Sequence, residues 1–148
     1  MKLLVTGGLG FIGSNFILDV LANNAKHQII NIDAEFPWSN PLNLSGIKQS
    51  TNYQFVKGNI TDKILMEKLI SESDAIINFA AESFVDRSIS NAEPFLDSNI
   101  KGVFTILEIL KNHKKRLVHI STDEVYGSLS SGTAVEETRF NPSSPYAA

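Results

Sequence analysis

Short apolar runs of strand length alternate along this chain with longer stretches whose apolar residues recur every three or four positions. Leu3-Leu4-Val5 is the first run. Phe11 to about Asn24 follows, with apolar residues at 12, 16, 17, 20 and 21, the period of a helix. Gln28-Ile29-Ile30-Asn31-Ile32-Asp33 reads as a second strand. Residues 34–52 hold Pro37, Pro41, Gly46 and several Asn and Ser, and read as a long loop. Tyr53-Gln54-Phe55-Val56 is a third strand. Thr61 or Asp62 can cap a helix that puts Ile64, Leu65, Leu69 and Ile70 on one face. Ala75-Ile76-Ile77-Asn78-Phe79 is a fourth strand. A long helix is predicted from about Ala92 to Asn112, with Asn91 as its cap and Pro94 in its first turn. Leu117-Val118-His119-Ile120 is a fifth strand, and residues 127–145, rich in Ser, Gly and Pro, read as loop.

Alternating strands and helices with uniformly apolar strands predict an α/β fold: a doubly wound parallel sheet, covered on both faces and joined by right-handed crossovers. The length of 148 residues suits one domain around one core. Hydrophobic residues are 43% and charged residues 20%, ordinary for a globular protein in water. The net charge of −3 leaves no basic footprint, so no nucleic-acid partner is expected. The absence of cysteine excludes disulfides and thiolate metal sites and suits a cytoplasmic protein. The apolar start at Met1–Thr6 is broken by glycines too early to act as a signal peptide or a membrane span. His27, His113 and His119 are scattered without ligand spacing, so no metal is expected.

Gly7-Gly8-Leu9-Gly10-Phe11-Ile12-Gly13 changes the picture from fold to chemistry. It follows the first strand and opens the first helix. Glycines there permit a tight turn and let the backbone approach a pyrophosphate, while the helix N-terminus offers free N–H groups and a positive dipole end. Gly13 lets helix and strand pack closely. Asp33 ends the second strand, twenty residues beyond Gly13. A carboxylate there can accept both ribose hydroxyls of NAD, and it would repel a 2′-phosphate. The cofactor expected is therefore NAD.

The fifth strand runs into Ser121-Thr122-Asp123-Glu124. In an open α/β sheet ligands bind outside the carboxyl ends of the strands, so a hydroxyl and two carboxylates at this tip are candidates for catalysis. Consecutive strand residues point to opposite faces. Both acids can face one substrate only if the strand has ended by Thr122.

Gly7-x-x-Gly10-x-x-Gly13, Asn78-Phe79-Ala80-Ala81-Glu82-Ser83, Ser121-Thr122-Asp123-Glu124-Val125-Tyr126-Gly127 and Ser144-Pro145-Tyr146 together resemble the extended short-chain dehydrogenase/reductase family. Within it the chain is most similar to the nucleotide-sugar 4,6-dehydratases, those acting on dTDP-glucose in particular. Residues 80–90 carry the most specific part of the likeness. The resemblance implies that Phe11 and Ile12 meet the cofactor pyrophosphate through their backbone and that Asp33 holds the adenosine ribose. It implies that Asn59 and Ile60 border the adenine, that Ala80, Ala81 and Glu82 line the cofactor, and that Ser98 touches it. Ser83 would reach toward cofactor or substrate. Thr122 would hydrogen-bond the sugar hydroxyl being oxidised, Asp123 and Glu124 would be the acid and base of elimination, and Tyr146 would be the tyrosine of a Tyr-x-x-x-Lys pair. The implied partners are a nucleotide sugar, with dTDP-glucose the favoured one, and a second copy of the full-length chain across the helix at 92–112.

Several positions depart from that family. Phe84 stands where His is usual, Asn59 where an acid is usual, and Ser98 where Thr is common. The family's lysine would fall at position 150, beyond Ala148. These 148 residues are therefore expected to be a cofactor domain lacking the C-terminal substrate domain, and inactive alone. A 4-epimerase or decarboxylase of the same family, or a non-catalytic NAD-binding remnant, are the competing readings; the paired acids argue against epimerisation, which needs no elimination. Glu82 reads equally as a solvated turn acid, and Trp38 reads as an anchor of its loop rather than a ligand stack.

Overall fold

The computed structural model describes residues 1–24 and 26–148. Strand β1 (Lys2–Thr6) lies at the centre of one parallel sheet, between β2 (Gln28–Asp33) and β4 (Ala75–Asn78). Beyond β2 lies β3 (Tyr53–Lys57), and beyond β4 lies β5 (Arg116–His119). The order β3-β2-β1-β4-β5 is that of a doubly wound Rossmann sheet, as the alternation predicted. In register, Leu4 lies opposite Ile30 and Ile76, and Thr6 opposite Ile32 and Asn78, so the strands beside β1 end level with it.

The helices are α1 (Phe11–Asn23), α2 (Lys63–Ser71), α3 (Val85–Ser90), α4 (Glu93–Phe95) and α5 (Val103–Leu110), with a π-helical segment over Leu96–Gly102 joining the last two. Strand alternation divides the core between the two faces. On one face Leu4, Ile30, Ile32 and Ile76 pack with Met66, Leu69 and Ile70 of α2 and Ile106 and Ile109 of α5. On the other, Leu3, Val5, Ile29 and Ile77 pack with Ile17 of α1 and Leu44. Burial on both faces is why these strands read as continuous apolar runs.

Asn31 is the polar exception inside that core. Its Nδ2 donates to the Tyr53 hydroxyl at 2.9 Å. Its Oδ1 is turned toward Gly8, where an added Cβ would stand 2.2 Å away, so any side chain at Gly8 would displace it. Burial raises the Tyr53 phenol above its ordinary 10.0; the hydrogen bond from Asn31 opposes that, and the Asp33 charge adds to it.

Three segments differ from the sequence expectation. The loop of 34–52 contains a run of 3-10 turns, Pro41–Ile47, with Asn40 Oδ1 accepting from Leu42 N at the start. Residues 85–90 form a helix that periodicity misses, because Val85 and Ile89 are the only apolar residues in its six positions. The long helix is helical from Glu93 to Leu110 but changes period between Leu96 and Gly102. Its expected cap is in place, with Asn91 Oδ1 accepting from Glu93 N at 3.2 Å. Of the two caps weighed for α2, Asp62 serves, through Leu65 N at 3.0 Å.

The far end of α2 is closed from a distance in sequence. Lys115 Nζ donates to the carbonyl oxygens of Ile70, Ser71 and Ser73. Ile70 and Ser71 form the last turn of α2, whose carbonyls lack partners within the helix, Ser73 follows just beyond it, and a cation also suits the dipole there. Lys115→Met keeps the aliphatic stem and removes the donors, and is expected to lower stability by about 1.5–3 kcal/mol, the range for hydrogen bonds to a charged group. Urea denaturation followed by circular dichroism measures it. An unchanged midpoint would show that water serves these carbonyls equally well.

Candidate functional site

A cleft of about 400 Å³ opens where β1, β2 and β4 end. Its floor is the turn from β1 into α1. Gly7 adopts φ +68, and an added Cβ there would stand 2.6 Å from Ala80 N. Glycine is required on both counts, conformation and space. At Gly13 a Cβ would meet Gly7 O at 2.6 Å, so the helix starts directly against the turn that precedes it. No side chain caps α1, and its first turn contains no acid. The N–H groups at that end are left for an anion, which suits a pyrophosphate. Phe11 and Ile12, 82% and 62% exposed, line the cleft rather than pack in the core.

Asp33 is buried at the next strand end. Its Oδ2 accepts from Leu9 N at 3.0 Å, and its Oδ1 from Glu35 N at 2.8 Å and Ser39 Oγ at 2.7 Å. Three of the carboxylate's roughly four acceptor sites are thus taken by the protein. One remains for a ribose hydroxyl, and a second such bond requires the Ser39 hydroxyl to turn away. Glu35 is the one non-glycine residue with positive φ among those described, at 55°, and it pairs with Lys57 Nζ at 2.6 Å. The chain therefore bends sharply as it leaves β2, and brings Phe36, Trp38 and Ser39 to the cleft.

Asn59 and Ile60 enter from the loop after β3. Asn59 Oδ1 accepts from Thr61 N at 2.9 Å and Thr61 Oγ1 at 3.0 Å, which fixes the turn before α2. The loop after β4 supplies Ala80, Ala81, Glu82, Ser83 and Phe84. Glu82 is not a solvated turn acid: it is buried, and both its carboxylate oxygens accept from Trp38 Nε1 at 3.1 Å. Trp38 is thus a loop anchor, with both acceptors on one residue. Asn99 holds the Glu82 backbone from the π segment, its Oδ1 accepting from Glu82 N and its Nδ2 donating to Glu82 O, each at 2.9 Å. Ser98 lines the cleft beside it. The π segment comes close enough to Ile60 that a Cβ on Gly102 would meet the Ile60 side chain at 2.3 Å.

At the third corner, β5 ends at His119, and Thr122 caps a 3-10 turn over Asp123–Tyr126, its Oγ1 accepting from Glu124 N at 3.2 Å. The strand has ended before the two acids, so alternation no longer separates them. The Thr122 hydroxyl lies 3.5 Å from Asp123 Oδ1. Ser121 and Tyr146 line the cleft, and Tyr146 meets Phe95 edge-on at 6.3 Å. Thr122, Asp123 and Glu124 are not among the residues that line it, and both carboxylates are exposed. Of the four residues expected to act in catalysis, Tyr146 is among those lining the cleft, and Thr122, Asp123 and Glu124 are on the turn beyond Ser121. The remaining expected residues, Gly7, Gly10, Phe11, Ile12, Gly13, Asp33, Asn59, Ile60, Ala80, Ala81, Glu82, Ser83 and Ser98, are brought together.

Sequence reading missed Asn99 and Ser39. The signal for Asn99 was an Asn-bearing polar stretch, Asp97-Ser98-Asn99, inside an otherwise apolar helix pattern. Nothing in sequence marked Ser39 apart from its neighbours.

Comparisons with known proteins agree with this geometry. The dTDP-glucose 4,6-dehydratase of Mycobacterium tuberculosis is 45% identical over 151 residues, covering 100% of this chain and 45% of that protein. The crystal structure of dTDP-glucose 4,6-dehydratase from Bacillus anthracis in complex with NAD matches with a TM-score of 0.90 at 44% identity, over 99% of this chain and 46% of that one. DesIV, the dTDP-glucose 4,6-dehydratase of Streptomyces venezuelae, solved with NAD bound, matches with a TM-score of 0.95 at 42% identity, over 99% and 47%. The chain spans about half the length of the curated relatives it matches. A family model described as GDP-mannose 4,6 dehydratase matches residues 4–148, nearly the whole chain, and the protein belongs to that family.

Proposed function

We propose that this chain is the cofactor-binding part of an NAD-dependent nucleotide-sugar 4,6-dehydratase that converts dTDP-glucose to its 4-keto-6-deoxy product. The observation that carries the reading is the cleft itself: an uncapped helix N-terminus over a glycine turn, with a buried carboxylate one strand away and a tyrosine on the far wall. The dehydratases of Mycobacterium tuberculosis, Bacillus anthracis and Streptomyces venezuelae that match along this chain act on dTDP-glucose by name, and the latter two were solved with NAD.

When bound, the dinucleotide supplies a reversible hydride acceptor. The protein's part is binding and proton handling. Tyr146 accepts the proton of the C4 hydroxyl, which Thr122 orients. With C4 at the ketone level the C5 hydrogen becomes acidic, and Glu124 removes it. Asp123 donates a proton to the C6 hydroxyl, which departs as water; the hydride taken from C4 would return to C6, and Glu124 gives its proton back to C5. An epimerase needs only the first of these tasks, so the two acids on one turn favour dehydration. Asp123 and Glu124 are exposed, two and three residues beyond the cleft-lining Ser121, and Tyr146 lines the cleft, which suits a sugar that reaches the cofactor from the exposed side.

A homodimer fits the surface of the long helix. Leu96, Ile100, Phe104 and Leu107 recur at helical spacing and are 55%, 59%, 58% and 48% exposed. Such a stripe suits a helix packed against its symmetry copy. Phe104→Glu is expected to convert the protein to a monomer in analytical ultracentrifugation; an unchanged sedimentation coefficient would place the dimer elsewhere.

Two measurements test the catalytic reading. Asp33→Asn is expected to weaken NAD binding about tenfold to a hundredfold, the loss of one charge-assisted hydrogen bond. Calorimetric titration reads this, and unaltered affinity would remove Asp33 from the ribose site. In the protein as expressed from its own gene, Glu124→Gln is expected to slow product formation about 100-fold to 10,000-fold, the usual contribution of a general base. The assay is the alkali-induced ultraviolet absorbance of a 4-keto-6-deoxy sugar from dTDP-glucose. Formation of a C4 epimer by the unmodified protein would refute dehydration.

A further inference from the structure

The loop after β2 and the loop after β4 are joined by side chains that none of the catalytic steps uses. Trp38 Nε1 donates to both Glu82 carboxylate oxygens at 3.1 Å. The guanidinium carbon of Arg87 lies 3.3 Å from the centroid of the Trp38 ring and 4.8 Å from that of Phe84. Trp38 and Phe84 meet edge to face at 5.7 Å.

Topology gives this cluster its meaning. Strands β2 and β4 are the two neighbours of β1, so a bond between the loops that follow them passes over the end of β1. The glycine turn begins at that end. Gly7, Gly10 and Gly13 line the same cleft as Trp38, Glu82 and Phe84. A ligand laid along the glycine turn has the turn on one side and the Trp38–Glu82 bridge on the other.

The two halves of the bridge differ in how firmly they are held. Glu82 is 5% exposed and its backbone is clamped on both sides by Asn99. Trp38 is 43% exposed and Phe84 48%, and Arg87 is exposed as well. Their contacts are therefore formed partly in water, where a cation over a ring or a single N–H bond is weak and can be remade. Glu82 is the fixed post, and Trp38 is the part that can swing.

We propose that Trp38, closed onto Glu82 and covered by Arg87 and Phe84, gates the dinucleotide cleft and must open for the cofactor to enter or leave. This rests on the reading that the cleft takes NAD. A gate of this kind scales entry and exit together, because both pass through the same open state, and leaves affinity nearly unchanged. A residue that stacks directly on the ligand does otherwise: its loss speeds exit alone and weakens affinity. The two roles are thus separated by rates rather than by affinity.

The experiment uses the protein as expressed from its own gene, with NADH as the probe and its own fluorescence as the signal. Stopped-flow mixing gives the association rate, displacement by excess NAD gives the dissociation rate, and equilibrium titration gives Kd. Trp38→Ala and Arg87→Ala are each expected to raise both rates about tenfold, the factor for an open state populated at about 10%, with Kd changed less than about threefold. Circular dichroism and thermal unfolding verify that each variant is folded; if Trp38→Ala unfolds, Arg87→Ala on the exposed side decides. Faster dissociation with an unchanged association rate would overturn the gate and make Trp38 a direct ligand. Unchanged rates in a folded variant would also overturn it and leave the cluster as a loop fastening. Failure of the unmodified protein to bind NADH at all would instead refute the NAD reading.

Discussion

The close approach of two backbones, at Gly7 and at Ala80, sets the shape of everything at the carboxyl edge of this sheet. With no Cβ between them, the turn after β1 lies directly against the chain leaving β4. Backbone bonds fix it there: Gly7 N donates to Ile32 O, and Phe79 N to Thr6 O. Side chains reinforce the same seam. Thr6 Oγ1 donates to Asn78 Oδ1, Ala80 N donates to Thr6 Oγ1 at 3.3 Å, and Asn78 Nδ2 meets His119 Nδ1 at 2.9 Å. Polar groups at three successive strand tips are thereby paired with one another, as groups leaving a dry core must be. The helix N-terminus, the buried carboxylate and the tyrosine wall are then held on a common edge.

The strands were legible because parallel strands covered on both faces are short, apolar and regularly spaced. The glycine turn was legible because few other arrangements require three glycines at that spacing between a strand and a helix. Asp33 followed from its distance to that turn. Less legible were features set by tertiary contact. The 3-10 run holding Leu44 in the core depends on Asn40 and Pro41 acting locally, inside a stretch whose composition says only loop. The π segment has no periodic signature of its own: Leu96, Ile100 and Lys101 are mixed with the weaker helix formers Asp97, Ser98, Asn99 and Gly102, and Asn99 within it holds the Glu82 backbone. Irregular pitch of this kind is often found beside functional sites.

The pair of acids shows a different limit. Their identity and adjacency could be read from sequence, and so could the need for the strand to end first. Their location could not. The turn over Asp123–Tyr126 is capped by Thr122, and it closes at Gly127, whose φ of +68 and contact with Asn141 allow no side chain. That cap and that glycine fix the turn in which the acids are exposed, while Tyr146, twenty residues on, lines the cleft.

Among these 148 residues Trp38 is the single tryptophan. All the indole emission of this domain therefore originates at one ring, with a carboxylate at its nitrogen and a guanidinium on its face. Both neighbours perturb an excited indole, and both are lost if the ring swings out. The domain thus has an intrinsic optical reporter at the entrance to its own cleft, sensitive to the arrangement of that entrance without any label being added.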